Sequence, residues 1–197
     1  VSLQSRLEAE ARRRANLASR LADSFAAGRV GSEQFADEFY EILLGGHAEA
    51  WGLGRALAGD PSSDPFDLIH GRAKADRETA FIARFAGQLD AGWATGEDGS
   101  VDAEKIARRM RLYVGKLRAT GAEAFVETSA DAEEFDWVLG AVEEHCNDCP
   151  RIARLSPFLK DELFQYPGDG ETPCLSNCKC HLVRASDGVA SFAPFAL

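Results

Sequence analysis

No apolar run in this chain of 197 residues approaches the roughly 20 that a bilayer-spanning helix needs, so the sequence predicts no membrane segment. Its opening, "VSLQSRLEAEARRR", has no apolar stretch of the kind that forms the centre of a secretory signal. The expectation is a soluble protein acting in an intracellular compartment. Positive charge is in deficit: 22 Lys and Arg against 32 Asp and Glu leave a formal net charge of −10. Affinity for phosphates comes mainly from Lys and Arg, and this balance argues against a dedicated nucleic-acid binder. No HExxH, Walker-type loop or GxSxG occurs, which removes familiar signatures of metalloproteases, P-loop NTPases and α/β-hydrolases. Gly52 and Gly54 in "WGLGRAL" begin like a dinucleotide fingerprint, but the third glycine is missing and the preceding pattern is helical. There is no internal repeat and no low-complexity tract.

What is present, over the first two thirds, is helical periodicity. From Ser2 to about Ala27, Leu3, Leu7, Leu17, Leu21 and Phe25 recur at three- and four-residue intervals. "GRVGS" breaks the run, with Ser32 as the expected N-cap of a second helix bearing Phe35, Phe39, Leu43 and Trp51. "GDPSSDP" is the next break, followed by a third helix over Phe66 to Trp93. After "TGEDGS", Asp102 is placed to cap a fourth helix running through Ile106, Met110 and Leu117 to near Phe125. The fold class expected is mainly α, with long antiparallel helices followed by a small β-containing, Cys-rich module. The divisions expected are a helical region 1–130, a Cys-rich metal-binding module 131–185 and a tail 186–197. Phe135 to Val142 reads as a strand, and "HLVRA" as a second strand pairing with it. The tail carries Phe192, Phe195 and Leu197, and a tail this apolar is expected to dock on the body or on a partner.

Basic residues gather at Arg12, Arg13, Arg14 and Arg20, and again at Lys105, Arg108, Arg109, Arg111, Lys116 and Arg118. An acidic run follows: Glu123, Glu127, Asp131, Glu133, Glu134 and Asp136. Runs of this kind are ordinarily solvated helix faces. For the second basic run the expectation is contact with other subunits or with packaged nucleic acid.

The chemistry concentrates near the end of the chain. Cys146 and Cys149 form a CxxC pair, and Cys174, Cys178 and Cys180 follow with His181 adjoining. Short-spaced pairs of soft ligands separated by a longer loop suit a tetrahedral zinc, each pair wrapping one edge of the ion. Such an ion would also stabilise a segment whose own apolar content is thin. Three other readings compete. Five cysteines could form two disulfides and leave one thiol, which a reducing compartment opposes. A redox CxxC lacks its βαβ surroundings. A Cys–His nucleophile needs a geometry that the sequence adjacency of His145 and His181 does not supply. Candidate ligands exceed four: Cys146, Cys149 and Cys178 lead, and Cys174, Cys180 and His181 compete for the last place. His47 and His70 are isolated on helices and read as core or surface residues.

The string from "RRMRLYVGKLRATG" through "FDWVLGAVEEHCNDCPRIARL" to "YPGDGETPCLSNCKCHL" resembles the minor head (head morphogenesis) proteins of tailed bacteriophages, the Mu F-like family. The resemblance rests on Trp137 in the strand, on Cys146 and Cys149, and on the closing Cys178-Lys179-Cys180, and it covers roughly Ile106 to Val183. Many members carry His-Pro ahead of the closing motif where this chain has "PCLSN", so Cys174 stands in that ligand's place and the choice against Cys180 stays open. The resemblance implies a non-enzymatic virion component with a structural zinc. It would bind capsid, portal or neck subunits as part of a multicopy assembly, touch packaged DNA, and pass through the host cytoplasm during assembly. Two rival functions remain: a zinc-knuckle regulator that binds nucleic acid, and a metal-dependent hydrolase.

Overall fold

The computed structural model of the chain describes residues 2–142 and 144–194. Five helices come first: α1 (Leu3–Ala26), α2 (Ser32–Ala58), α3 (Phe66–Asp90), α4 (Ala103–Val114) and α5 (Leu117–Thr128). A three-stranded antiparallel sheet follows, made of β1 (Glu134–Val138), β2 (Phe158–Leu159) and β3 (His181–Arg184), with the short helix α6 (Asp148–Ala153) between β1 and β2. The fold is mainly helical with a small β-containing, Cys-rich end, in agreement with the class read from the sequence.

Local chemistry sets the helix ends. Ser2 caps α1 by accepting the Ser5 amide, and Asp102 caps α4 by accepting the Lys105 amide, each satisfying a donor that the first turn leaves free. Ser32 is not the cap of α2: Gly31 holds that position in an extended conformation, and Ser32 is already the first helical residue. The third helix stops at Asp90, short of Trp93, because the chain turns through Gly92 at φ +79°.

The expected single fourth helix is in fact two, α4 and α5, divided at Gly115 and Lys116. A Cβ on Gly115 would sit 3.0 Å from Ser176 Cβ, so the Cys-rich loop packs against the joint. The two halves also differ in kind. On α4 the buried side chains are Ile106, Ala107, Met110 and Val114, one face of an amphipathic helix. On α5 nearly every residue from Leu117 to Val126 is buried, which marks a helix enclosed on all sides.

One apolar cluster joins the helices. Phe35 meets Phe25 of α1 and Phe85 of α3 edge-on, with ring centroids 5.5 and 5.6 Å apart, and Phe39 meets Tyr113 of α4 at 5.6 Å. Such pairs add about 0.5–1.5 kcal/mol each to the area they bury. A second cluster gathers Phe125 and Val126 with Phe135, Trp137, Ile152, Phe158, Leu182 and three cysteines. α5 therefore touches both cores. Strand β1 lies centrally, paired with β2 through Phe135 and Phe158 and with β3 from Phe135–Arg184 to Val138–His181.

The apolar tail docks on the body of the chain, as its composition suggested. Phe192 is buried in the helical core, and Ala193 exchanges hydrogen bonds with the Gln4 side chain. Phe195 and Leu197 lie outside the described residues.

Candidate metal centre

Each cysteine is delivered by a short local device. Cys146 ends the loop after β1, and Cys149 sits in the first turn of α6, so one tight turn sets their sulfurs 3.3 Å apart. Cys174 precedes a 3₁₀ turn, Leu175–Asn177, and Cys178 ends it. Cys180 is the residue before β3, which holds it through the ladder to β1.

The five sulfurs converge. Cys174 lies 3.6 Å from Cys146 and 3.8 Å from Cys149, and Cys178 lies 3.7 Å from Cys149. Sulfurs bound at 2.3 Å to one tetrahedral ion stand about 3.8 Å apart, close to these separations. Two groups able to hold a metal emerge, Cys146–Cys149–Cys174 and Cys149–Cys178–Cys180, with Cys149 common to both. The two rivals for the last ligand place are therefore both brought in, one to each group, while His181 belongs to neither. All five cysteines are free, and the 3.3 Å between the Cys146 and Cys149 sulfurs far exceeds a disulfide bond of about 2.05 Å.

Burial gives the thiols unequal acidity. Burial pushes Cys149 up, and its neighbouring thiols add to that. The hydrogen bond with Cys180 pushes Cys178 up, with burial adding to it, and the same hydrogen bond from Cys178 pulls Cys180 down despite its burial. The Gly140 amide and the Trp137 indole also favour the Cys180 thiolate. For Cys146, burial works against ionisation, but the Cys149 and Asp148 amides and neighbouring thiols lower it overall. A bound cation would draw all the thiols toward the thiolate form.

Sequence reasoning missed Arg118. Placed in the basic run and expected to face outward, it is only 2% exposed. Its Nη1 donates to the Cys180 carbonyl at 2.8 Å and its Nη2 to the Cys178 carbonyl at 2.5 Å. Burial lowers its pKa, and the sulfurs of Cys178, Cys180 and Cys174 oppose that. The guanidinium thus serves as a fixed counter-charge behind the thiol cluster and ties its backbone to α5. A signal was available: Arg118 lies in a stretch apolar on every side, where a charge has to point inward and find acceptors.

Most of the remaining second basic run is also engaged within the chain. Lys105 donates to the Trp93 carbonyl, Arg109 to Gln88 while lying over the Phe85 and Trp93 rings, and Lys116 to Glu78. Arg111 pairs with Glu104. Arg108 is exposed and makes no ion pair among the described residues. His47 is buried, with Nδ1 2.7 Å from Thr120 Oγ1, and His70 stacks on Trp51 at 3.9 Å. Neither approaches the cysteines closely enough to join a ligand group.

No family model, curated protein or solved structure matches this chain. The arrangement can hold a metal ion through thiolate ligands.

Proposed function

We propose that the chain is a non-enzymatic structural component of a tailed-phage virion, a minor head or head morphogenesis protein whose Cys-rich module is closed by a structural zinc. It would bind capsid, portal or neck subunits during assembly or DNA retention, in the virion and beforehand in the host cytoplasm. The observation that carries this reading is the convergence of all five cysteines of the phage-like string, three buried and two half-buried, into two overlapping groups that share Cys149 and are backed by Arg118. Thiolates are soft ligands that suit zinc, and they outnumber the four places of a tetrahedral ion. The thiols form two overlapping groups of three that share Cys149; a fourth thiol drawn from the other group would complete the tetrahedron and leave no position for water or substrate, which favours a structural role over a hydrolytic one.

Two measurements test the reading. Elemental analysis of chain purified under reducing conditions is expected to find one zinc per chain; a metal-free, folded chain with intact disulfides would remove the zinc while leaving the virion role standing. Mass spectrometry of purified particles from the host that carries the gene is expected to find the chain at constant stoichiometry. Complete, infectious particles without it would overturn the virion role.

A further inference from the structure

The five sulfurs gather in threes. Cys146, Cys149 and Cys174 stand 3.3 to 3.8 Å apart, and Cys149 also belongs to a second group, where it lies 3.7 Å from Cys178 and close to Cys180. Within each group the sulfurs all lie within 4.8 Å of one another. A tetrahedral ion in either group has to draw its fourth thiol across from the other one, which moves a loop or a strand end. An ion content with three ligands finds both groups already gathered. Cys149, common to the two, is placed to bridge a pair of ions, since a thiolate sulfur has lone pairs for more than one metal.

The groups differ in burial and in what holds them. Cys146 and Cys174 are half-buried, so the first group reaches the surface. A loop, the first turn of α6 and a 3₁₀ turn supply it, and the Thr172 hydroxyl lies 3.1 Å from the Cys174 sulfur. Cys149, Cys178 and Cys180 are each 1% exposed. Arg118 holds the Cys178 and Cys180 carbonyls. Gly140, just past β1, comes so close to the segment between them that an added Cβ would stand 2.2 Å from the Lys179 carbonyl oxygen. The inner group is thus fixed by packed elements, the outer one by turns. Thiolates are soft ligands that select Cu(I) as well as zinc; Cu(I) is satisfied by three of them, whereas zinc in structural sites takes four.

We propose that the module binds two Cu(I) ions, an outer one on Cys146, Cys149 and Cys174 and an inner one on Cys149, Cys178 and Cys180, bridged by the Cys149 thiolate. Ions enter at the half-buried outer group, and exchange across the shared thiolate carries them to the inner one. In the metal-free chain each of the five thiols gives up its proton to solvent on binding, and no electron is transferred. Any zinc held beforehand leaves as the divalent ion when copper takes its thiolates. The inference uses the thiols of the zinc reading and goes beyond it: one tetrahedral ion draws on both groups, and two three-coordinate ions occupy them separately.

The test titrates the chain, as purified under reducing conditions, with Cu(I) supplied anaerobically in acetonitrile, and counts bound metal by native mass spectrometry. Two copper ions per chain are expected, with release of whatever zinc was present. Zinc content before titration reports on the zinc reading and the copper count on this one, so either can fail alone. Stripping by a bathocuproine chelator is expected in two phases, a fast one from the outer group and one about tenfold slower from the group shielded by the fold. Cys146→Ser and Cys174→Ser each keep one copper and only the slow phase, Cys180→Ser keeps one and only the fast phase, and Cys149→Ser loses both. A wild-type count other than two overturns the proposal without recourse to any variant. A single release phase, a Cys180→Ser chain that still takes two ions, or a Cys149→Ser chain that keeps both phases overturns it equally.

Discussion

At the scale of single residues, two buried ionisable side chains carry sharp consequences. Replacing Arg118 with methionine preserves much of the volume but leaves the Cys178 and Cys180 carbonyls without their donor. Hydrogen bonds to charged groups of this kind are worth about 1.5–3 kcal/mol each, so Arg118→Met is expected to cost about 3 kcal/mol in urea unfolding. It should also speed metal release to a colorimetric chelator, and Arg118→Lys, which can serve one carbonyl, should fall between. Equal metal release from all three proteins would show that Arg118 does not support the cluster. His47 makes a pH prediction. Burial, then the nearby ammoniums of Lys74 and Lys116, push it down to about 3. The unfolded imidazole gains its proton near pH 6.5, while the folded one stays neutral, so the unfolded state binds more protons across the interval. Stability is therefore full above pH 6.5 and falls as the pH drops toward 3. Between pH 6.5 and 5, above most carboxylate titrations, His47→Gln should flatten the slope of unfolding free energy against pH; an unchanged slope would reject the assignment. That the cysteines gather was legible in the sequence, because paired cysteines announce themselves by spacing; the choice between Cys174 and Cys180 was not. Arg118 was missed because it was read as a member of the charge run and not as the one charge within the mostly apolar stretch Leu117–Ala122.

At the scale of elements, the boundaries that the sequence missed are those set by neighbours. The break between α4 and α5 follows from the Cys-rich loop resting on Gly115, a contact about sixty residues away in the chain that no local pattern encodes. Strand β2 is only two residues long, and pairing with β1 defines it, since its own composition has too little pattern to do so. The pair Gly52 and Gly54 is instructive. Far from cradling a phosphate, Gly54 lets α2 pass close to α5: an added Cβ would stand 2.2 Å from the Gly121 carbonyl oxygen and 2.7 Å from Ala124 Cβ. Neither neighbour can rotate away. Gly54→Ala is therefore expected to destabilise the chain by about 2–3 kcal/mol through overpacking, outweighing the roughly 1 kcal/mol that alanine gains over glycine in a helix. Gly87, on α3 with nothing within 4 Å of its missing Cβ, is the control: Gly87→Ala should be neutral or stabilising. A thermal denaturation series that ranks the two the other way would refute the close-crossing account.

At the scale of the whole molecule, the two apolar clusters differ in what sustains them. The helical cluster is built mainly from alanine, leucine and phenylalanine supplied by α1 to α4 and the start of α5, with Phe192 added from the tail. The second contains Cys149, Cys178 and Cys180 among its buried members and has strands of five, two and four residues to order. A sheet that small is marginal by itself, whereas thiolate coordination of zinc supplies about 10–16 kcal/mol to folding in small zinc peptides. Removing the metal under reducing conditions is thus expected to melt the strand module and spare most of the helices. Trp137, 2% exposed in β1, is the natural reporter. With Trp51 and Trp93 changed to phenylalanine, its fluorescence should shift to the red on chelation while most far-ultraviolet ellipticity persists. Hydrogen exchange should quicken in β1 and β3 and at the Phe125–Val126 end of α5, but not in α1. The opposite outcome is also distinct. If chelation unfolds everything in one transition, α5 transmits the loss from one core to the other and the chain is a single cooperative unit. If it unfolds nothing, the cysteines pack as ordinary apolar side chains and the metal has no part in holding the fold.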